Sequence, residues 1–354
     1  MQTIFAKFSD AGVRNVCAGK GMNDNMKIGK VSETILKRSI LKQIHTTREE
    51  VLLGAGAGGD CAAVQLAPDE AFVISADPVT VTAEDMGTLA IQRTVNNLAS
   101  SGAEPVGVML TILLPESTEE AKIRSMMTRV EELCAKLHVQ VMGGHTEVTR
   151  AVNRAVVSAA GVGKGKKELL VTSAQAKPGQ DILVTKWLGI EGTAIIVRER
   201  EAELLKRFPK AFVDTAKGFD AYLSVIPEAA VAVKHGVSAM HDVSEGGIYG
   251  ALWELSEASG IGLEIDLKAI PFRQETIEIC EYFGLNPYHL ISGGCMLMAA
   301  DNGHDLVRAL EKAGIPAAVI GKATKGPAKR IVNGEDEAFL ERPKTDELYK
   351  ICEE

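Results

Sequence analysis

A glycine-dense segment that ends on an aspartate is the first place in this sequence where residue types and spacing favour chemistry. Residues 54–64 read G-A-G-A-G-G-D-C-A-A-V. Each glycine costs backbone entropy on folding, but together they let the main chain run close to an anion and surround it with N–H groups. A carboxylate at the end of such a loop suits Mg²⁺ that is shared with phosphate oxygens. The segment therefore predicts a nucleotide phosphate site, and the alternative is a flexible turn between two strands. The residues assigned to it are Gly54, Gly56, Gly58, Gly59 and Asp60.

Asp77 and Asn97 are weaker candidates for the same site. Asp77 follows an apolar run, at the expected carboxyl end of a strand, where ligands of open α/β layers gather. An Asp-Pro pair is also a common turn initiator, so the turn reading stays open. Asn97 follows Asn96 near the expected end of a helix over 84–101, where it can cap the helix or offer an amide oxygen to a metal or nucleotide.

The segment 143–147, with the sequence G-G-H-T-E, directly follows an apolar strand predicted over 138–142. Paired glycines would let the strand end approach a ligand, and His145 and Glu147 would then lie in the cleft. A histidine there can bind phosphate, ligate a metal or transfer a proton. The alternative is a loop histidine that is hydrogen-bonded to the backbone.

The segment 241–247, with the sequence H-D-V-S-E-G-G, is predicted to open a helix over 247–259. Asp242 could simply cap that helix. The functional interpretation is an anion site at the helix N-terminus, with Asp242 placed to hold a cation beside the anion.

The elements that position these segments follow from the hydrophobic pattern. Short apolar runs alternate with segments of helical periodicity along the chain, which predicts an α/β (α+β) fold in layers. The turn at 177–179, K-P-G, marks a domain boundary. The expected division is an N-terminal extension over 1–25, a first domain over 26–170 and a second over 171–354. Strands are expected, among others, over 72–75, 106–114 and 295–300, with a loop around His241.

Composition narrows the class of protein. The chain has 354 residues, which is long enough for two domains with real cores, and a net charge of −8 without a basic run, which argues against nucleic acid as a partner. Its six cysteines never form C-x-x-C, which fits a reducing cytoplasm and argues against a disulfide framework. No apolar stretch is long enough to span a membrane.

Taken in order, the motifs G-x-G-x-G-x-D, S-x-D-P, N-x-L-A-x-x-G-A-x-P, G-G-x-T and H-D-V-S-E-G-G resemble the aminoimidazole ribonucleotide (AIR) synthase superfamily. The resemblance runs from about Lys27 to Gly321. Within the superfamily, the G-K pair at 29–30 and the G-I-E-G-T-A segment at 189–194 are most similar to the HypE-like branch of hydrogenase maturation proteins. Thiamine-monophosphate kinase and selenophosphate synthetase belong to the same superfamily.

The resemblance implies a PurM-like two-domain fold in which the first domain contributes strands to the β-barrel of a homodimer. It also implies Mg²⁺ and ATP, whose γ-phosphoryl group activates an oxygen of a small-molecule substrate or a carbamoyl group. The implied nucleotide-binding residues are Lys30, Gly54, Gly56, Gly58, Gly59, Asp60, Asp77, Asn97, Gly143, Gly144 and Thr146. The implied metal-binding residues are Asp60, Asp77, Asn97 and Asp242, and the expected catalytic residues are His145, Glu147 and Asp242.

Three departures from the family pattern leave the function open. Asn97 and His145 replace acids that many members carry, and each change removes a negative charge. Cys352 stands near the C-terminus, where a HypE protein ends on an essential cysteine, but two glutamates follow it here. The leading hypothesis is an ATP-dependent HypE-like enzyme. The alternatives are a hydrogenase maturation factor that acts on Cys352 with a carbamoyltransferase partner, and a non-catalytic nucleotide-binding sensor or assembly protein.

Overall fold

Strands of the first half of the chain form a sheet that is covered on one face only. The structure is a computed structural model that describes residues 28–56, 61–80 and 85–352. The strands of this half are β1 (Gly29–Lys30), β2 (Val51–Leu53), β3 (Ala63–Val64), β4 (Glu70–Val79), β5 (Glu104–Leu114), β6 (Gln140–Val148) and β7 (Val156–Lys166). The sheet order is β1–β6–β5–β7–β4, with β5 and β6 parallel and the other pairs antiparallel, while β2 pairs with β3.

Two helices cover one face of this sheet. The helices of the first half are α1 (Glu33–Ile35), α2 (Met86–Ser100) and α3 (Glu120–Leu137), and α1 continues as a π-helix over Leu36–Ile40 and a 3₁₀ turn over Leu41–Gln43. Leucine, isoleucine and methionine side chains of α2 and α3 are buried against the sheet. The opposite face is open: Phe72 is 51% and Ile74 is 70% exposed. This half-covered sheet has an apolar face that no described residue covers.

The second half is a larger mixed sheet with helices around it. Its strands are β8 (Asp181–Thr185), β9 (Ala239–Val243), β10 (Gly262–Asp266), β11 (Cys295–Ala300), β12 (Ala317–Thr324), β13 (Lys329–Asn333) and β14 (Asp336–Phe339), in the order β14–β13–β10–β12–β8–β11–β9. Its helices are α4 (Ile190–Glu199), α5 (Glu201–Arg207), α6 (Lys210–Lys217), α7 (Ile226–Lys234), α8 (Gly247–Ser259), α9 (Gln274–Phe283), α10 (Gly303–Lys312) and α11 (Tyr349–Cys352). The predicted α/β class is confirmed. Among the described residues, no helix is long and apolar enough to cross a bilayer.

The two halves meet where α2 packs against the edge strand β9 and the loop before α7. Apolar residues of both halves belong to one buried cluster. The contact face of α2 is nevertheless polar: Asn96 Nδ2 donates to the Leu223 carbonyl (2.8 Å), and Val225 N donates to Asn96 Oδ1 (3.0 Å). A buried polar helix face of this kind fixes the relative position of the halves through hydrogen bonds.

Three predicted loops or strand ends are in fact strand interiors. Asp77 lies inside β4, the segment 143–147 lies inside β6, and His241 and Asp242 lie inside β9. In β6 polar residues alternate with buried ones at period two, and in β4 half-buried polar residues alternate with exposed apolar ones, so both strands continue through these segments. Pro78 has no backbone N–H to donate. It is tolerated within β4 because β4 is at the sheet edge and pairs with one strand of the described sheet.

Candidate functional site

Three of the predicted metal-binding residues meet at the boundary between the two halves. Asp77 projects from β4 towards α2, Asn97 lies in the last turn of α2, and Asp242 comes from β9 of the second half. Asp242 is only 7% exposed, and Asp77 is partly buried. The edge strand and a helix end of the first half and the edge strand of the second half therefore bring an amide and two carboxylates together.

The Asn97 side chain lies between the two carboxylates. In the amide orientation that satisfies both of its polar atoms, Nδ2 donates to Asp242 Oδ1 (3.2 Å) and Oδ2 (3.0 Å), and Oδ1 accepts from Ser75 Oγ (3.1 Å). The reverse orientation would direct Nδ2 to Asp77 Oδ2 at 3.3 Å. In the satisfied orientation the amide oxygen faces Asp77 instead. Two oxygens at that distance need a proton or a cation between them.

Burial makes ionisation of both carboxylates costly. It raises the pKa of Asp77, although the charge of Arg93 opposes the shift. It also raises the pKa of Asp242, where the neighbouring charge of His241 opposes the shift. Carboxylates that are crowded into a partly dry cleft favour a proton or a bound cation over two free charges.

Arg93 and Glu191 are site residues that the motifs did not reveal. From α2, Arg93 Nε and Nη2 donate to Glu191 Oε1 in the first turn of α4 at 2.9 and 2.7 Å. Glu191 is 2% exposed, and its Oε2 has no hydrogen-bond partner among the described residues. A side chain at Gly293 would collide with that oxygen. The sequence did contain a signal for Arg93: it is four residues from Asn97, so the two side chains lie on the same face of a helix.

A second group of predicted residues lines a cavity of about 70 Å³ in the first half. Its apolar wall comes from the helical segment after β1 and from β5, α3 and β6. The predicted residues that line it are Lys30, Gly54, Gly56, Gly143, Gly144, His145 and Thr146. The remaining members of the glycine-dense segment, Gly58, Gly59 and Asp60, lie outside the described residues.

Polar contacts hold the start of the glycine-dense segment in place. Arg48 N donates to Gln140 Oε1 (2.8 Å), and the Arg48 guanidinium donates to Glu50 (2.8 and 3.0 Å) just before β2. The hydrogen bond from Arg48 lowers the pKa of Glu50 to about 2, although burial opposes the shift. A Cβ on Gly54 would come within 2.7 Å of Gln140 Nε2. Glycine at this position therefore lets the loop pass β6.

The structure does not bring His145 and Glu147 to the Asp242 carboxylate. His145 Nε2 lies 3.1 Å from Glu147 Oε2, and both side chains project from the open face of the first sheet, where His145 pairs with the exposed Thr111. Asp77 projects from the helix-covered face of the same sheet. The preceding Gly144 has φ +149°, and a Cβ there would collide with the carbonyl of Leu110 on β5. Gly144 therefore allows β5 and β6 to approach each other closely.

Sequence patterns of a known family match most of the chain. The pattern described as AIR synthase related protein, N-terminal domain, matches residues 58–164, and its C-terminal counterpart matches residues 177–333. The chain belongs to the AIR synthase related family. The predicted recognition is thereby confirmed, and with it the PurM-like two-domain fold.

Individual relatives of this AIR synthase related chain include hydrogenase maturation proteins. A Methanocaldococcus jannaschii protein, provisionally named a hydrogenase expression/formation protein, is 28% identical over 92% of this chain and 97% of its own length. The carbamoyl dehydratase HypE of Rhodobacter capsulatus is 28% identical over 65% of each chain.

Solved structures show the same fold. The structure of Escherichia coli HypE matches with a TM-score of 0.75 at 21% identity, over 91% of this chain and all of that one. A HypE structure in complex with ATP matches with a TM-score of 0.75 at 20% identity, over 93% and 99% of the two chains. A thiamine-monophosphate kinase of Stenotrophomonas maltophilia gives 0.70 at 21% identity, over 86% and 98%.

Proposed function

We propose that this chain is an ATP- and Mg²⁺-dependent enzyme of the HypE-like branch. It would use the γ-phosphoryl group of ATP to phosphorylate a small molecule or to activate an oxygen of a carbonyl, amide or carbamoyl group. The support is of two kinds. The relatives include carbamoyl dehydratases, and one solved structure with the same fold is a complex with ATP. The inter-domain site also brings together oxygen atoms of the kind that bind cations. Phosphoryl transfer needs little covalent chemistry from the protein, and positioning with charge neutralisation does most of the work.

The observation that carries the proposal is the set of oxygens around Asn97. The site offers two carboxylates and one amide oxygen. Within the described residues, no group of three or more His, Cys, Asp or Glu side chains could hold a metal ion. Mg²⁺ is usually held by one or two carboxylates while phosphate oxygens and water complete its shell. Asp77, Asp242 and the Asn97 amide oxygen fit that requirement. Bound Mg²⁺ would supply charge neutralisation of the triphosphate.

The cavity beside the glycine-dense segment is the second support. Its apolar wall and the free backbone of Gly54 and Gly56 suit a nucleotide whose phosphates run along the segment, with Lys30 at the rim. At Gly56 a Cβ would meet no atom of the described residues within 4 Å, so the backbone there has room for a ligand.

The test is Mg²⁺-dependent binding and hydrolysis of ATP by the purified full chain, with ADP and AMP resolved as products. We expect slow formation of ADP, reduced about tenfold or more in Asp77→Asn and Asp60→Ala, because each loses a charged metal contact. Asp69→Asn is the matched control, since Asp69 is 61% exposed and remote from the cluster. Failure to bind ATP in the presence of excess Mg²⁺ would refute the proposal.

The hydrogenase maturation role is the second candidate, and the position of the C-terminus favours it. Helix α11 ends at Cys352, and its Tyr349 hydroxyl donates to Glu245, close to the charge of Arg93. The last described helix thus lies near Arg93, a residue of the inter-domain site. If Cys352→Ala, or removal of residues 353–354, leaves both ATP turnover and binding of a carbamoyltransferase partner unchanged, this role is wrong.

The sensor or assembly role predicts that Asn97 prevents hydrolysis of ATP. A protein that has lost catalysis should bind ATP without turning it over, and Asn97→Asp should then restore hydrolysis by returning a charge to the cluster. If the unmodified chain already hydrolyses ATP, the sensor role is excluded.

The open face of the first sheet supports a homodimer. Phe72, Ile74, Ala76 and Pro78 follow one another along the exposed side of β4, and isolated monomers rarely leave such an apolar surface uncovered. Ile74→Glu should convert a dimer to a monomer in light scattering, whereas Phe339→Glu, an exposed site on β14, should not. A monomeric unmodified chain would contradict this.

A further inference from the structure

A second cavity lies at the boundary between the two halves, along the first turns of helix α2. Its volume is about 230 Å³, and its walls come from α2, α3, α4 and a 3₁₀ turn over Gly218–Tyr222. None of the described residues that line it belongs to the Asp77, Asn97 and Asp242 cluster or to the glycine-dense segment. This boundary cavity is therefore separate from the site to which we assign ATP and Mg²⁺.

Ion pairs between the two halves form one part of the cavity wall. Arg129 Nε of α3 lies 3.1 Å from Asp85 Oδ1, and Arg198 Nε of α4 lies 3.4 Å from Asp85 Oδ2. Arg198 also forms an ion pair with Asp220. The Asp85 and Arg198 side chains are partly buried, and several charges in one network hold their geometry better than an isolated surface pair does. This part of the wall is thus in place before a ligand binds.

Other polar groups of the lining are free to bind a ligand. Within the described part of the chain, the side chains of Glu132 and Lys136 have no ion pair or hydrogen bond. Gln92 is 6% exposed, and its Nε2 donates to Asn96 Oδ1 at 3.0 Å, whereas no described group donates to its Oε1. Buried amide oxygens normally accept a hydrogen bond, and one that has no donor is destabilising. A ligand in the cavity would supply the donor that Gln92 Oε1 lacks.

The charges of the lining balance, but the free groups are of both signs. Three cations face three carboxylates, so the cavity as a whole attracts neither a simple anion nor a simple cation. Lys136 and the remaining N–H groups of Arg129 are donors, whereas Glu132 and Gln92 Oε1 are acceptors. A ligand that carries one positive and one negative group satisfies both kinds. The six charged residues are Asp85, Arg129, Glu132, Lys136, Arg198 and Asp220.

The free charges lie close together and beside apolar surface. Arg129, Glu132 and Lys136 are three and four residues apart, on one face of α3. The two charges of the ligand therefore need to be only a few bonds apart. The apolar side chains of the lining are all leucines, namely Leu89, Leu133 and Leu223. These leucines favour a ligand that also carries a small aliphatic group.

We propose that the boundary cavity binds a small zwitterion, namely a free amino acid with an aliphatic side chain. Its carboxylate accepts from Arg129 and Lys136, its ammonium group donates to Glu132 and to Gln92 Oε1, and its side chain lies against the three leucines. This site goes beyond the proposed function, since it requires neither ATP nor Mg²⁺.

The chemistry of the ligand is tested by saturation-transfer NMR and calorimetry on the full chain, without nucleotide. The probes are L-leucine, L-isoleucine and L-valine at millimolar concentration, with N-acetyl-L-leucine, which lacks the ammonium group, and L-leucinamide, which lacks the carboxylate. We expect at least one amino acid to bind, and each leucine derivative to bind about tenfold more weakly than leucine, because each loses a charged hydrogen bond. The proposal is overturned if none of the three amino acids binds, or if both derivatives bind as well as leucine.

The location of the site is tested with variants at exposed positions, which should leave the fold intact. Lys136→Met and Glu132→Gln should each weaken binding of the best probe about tenfold. Lys122→Met is the matched control, because Lys122 is an exposed lysine of α3 that does not line the cavity. Binding that is unchanged in both cavity variants would overturn the assignment to this cavity. These measurements contain no ATP, so a failure to bind ATP would refute the proposed function and would not affect their outcome.

Discussion

Removal of Arg93 alone from its buried ion pair with Glu191 should strongly lower the free energy of unfolding, whereas removal of both residues should not. Arg93 is the sole hydrogen-bond partner of Glu191 in the described structure, because both donated hydrogen bonds reach Oε1 and Oε2 has none. Arg93→Met would leave a carboxylate that is 2% exposed without any compensating charge. Loss of one partner of a buried pair costs about 3–5 kcal/mol, and the crowded Asp77 nearby favours the upper part of that range.

The double variant Arg93→Met/Glu191→Leu distinguishes the net contribution of the ion pair from the cost of leaving one buried charge unpaired. It removes both charges, and apolar replacement of a buried pair is often neutral, so we expect it to recover most of the lost free energy of unfolding. Urea unfolding followed by fluorescence of Trp187 and Trp253 measures the difference. Lys210→Met is the control, since the pair of Lys210 with Asp214 is exposed and such pairs contribute little to stability. If Arg93→Met costs no more than this control, the reasoning is refuted.

Two further predictions concern the first half. Gly144→Ala should lower the midpoint of thermal unfolding clearly, because φ is +149° and a Cβ collides with the Leu110 carbonyl; Gly56→Ala, where a Cβ has open space, should not, and equal shifts would contradict the geometry. The hydrogen bonds of Arg38 lower the pKa of Glu120 to about 2, so Glu120 stabilises the fold above pH 4.5, and this contribution is lost as pH falls towards 2. Glu120→Gln should flatten that pH dependence in unfolding curves recorded between pH 5 and pH 3.

The sequence was most informative where one element has one strong periodicity and clear ends. Helix α8 and strand β11 begin and end where the pattern predicts, at 247–259 and 295–300. In α8 glycines flank an apolar 3.6-residue repeat, and β11 is a continuous apolar run buried on both faces. Strands β13 and β14 had no such signal, since both are short and β14, at the sheet edge, is exposed along its whole length.

The candidate site was only partly predictable, because motif residues mark ligands and not the groups that hold them. Asp77, Asn97 and Asp242 were found from their motifs, and the structure brings them together across the halves. Arg93 and Asp346, whose carboxylate accepts from Gly246 N before helix α8, were missed, since each acts through a residue distant in sequence: Glu191 lies 98 positions from Arg93, and Gly246 lies 100 positions from Asp346. Such pairs follow from packing, which one sequence does not reveal.

Two of the departures from the family pattern, Asn97 and His145, have different consequences. Both were expected to weaken one metal site, yet Asn97 lies on helix α2, which covers one face of the first sheet, and His145 projects from the opposite, open face. Within one chain, an acid at position 145 would join Glu147 on the open face and would add no ligand to the Asp77 and Asp242 cluster. Of these two positions, only position 97 changes the charge of the inter-domain site. If the open face is a dimer surface, His145 instead lies where a second copy of the chain would make contacts.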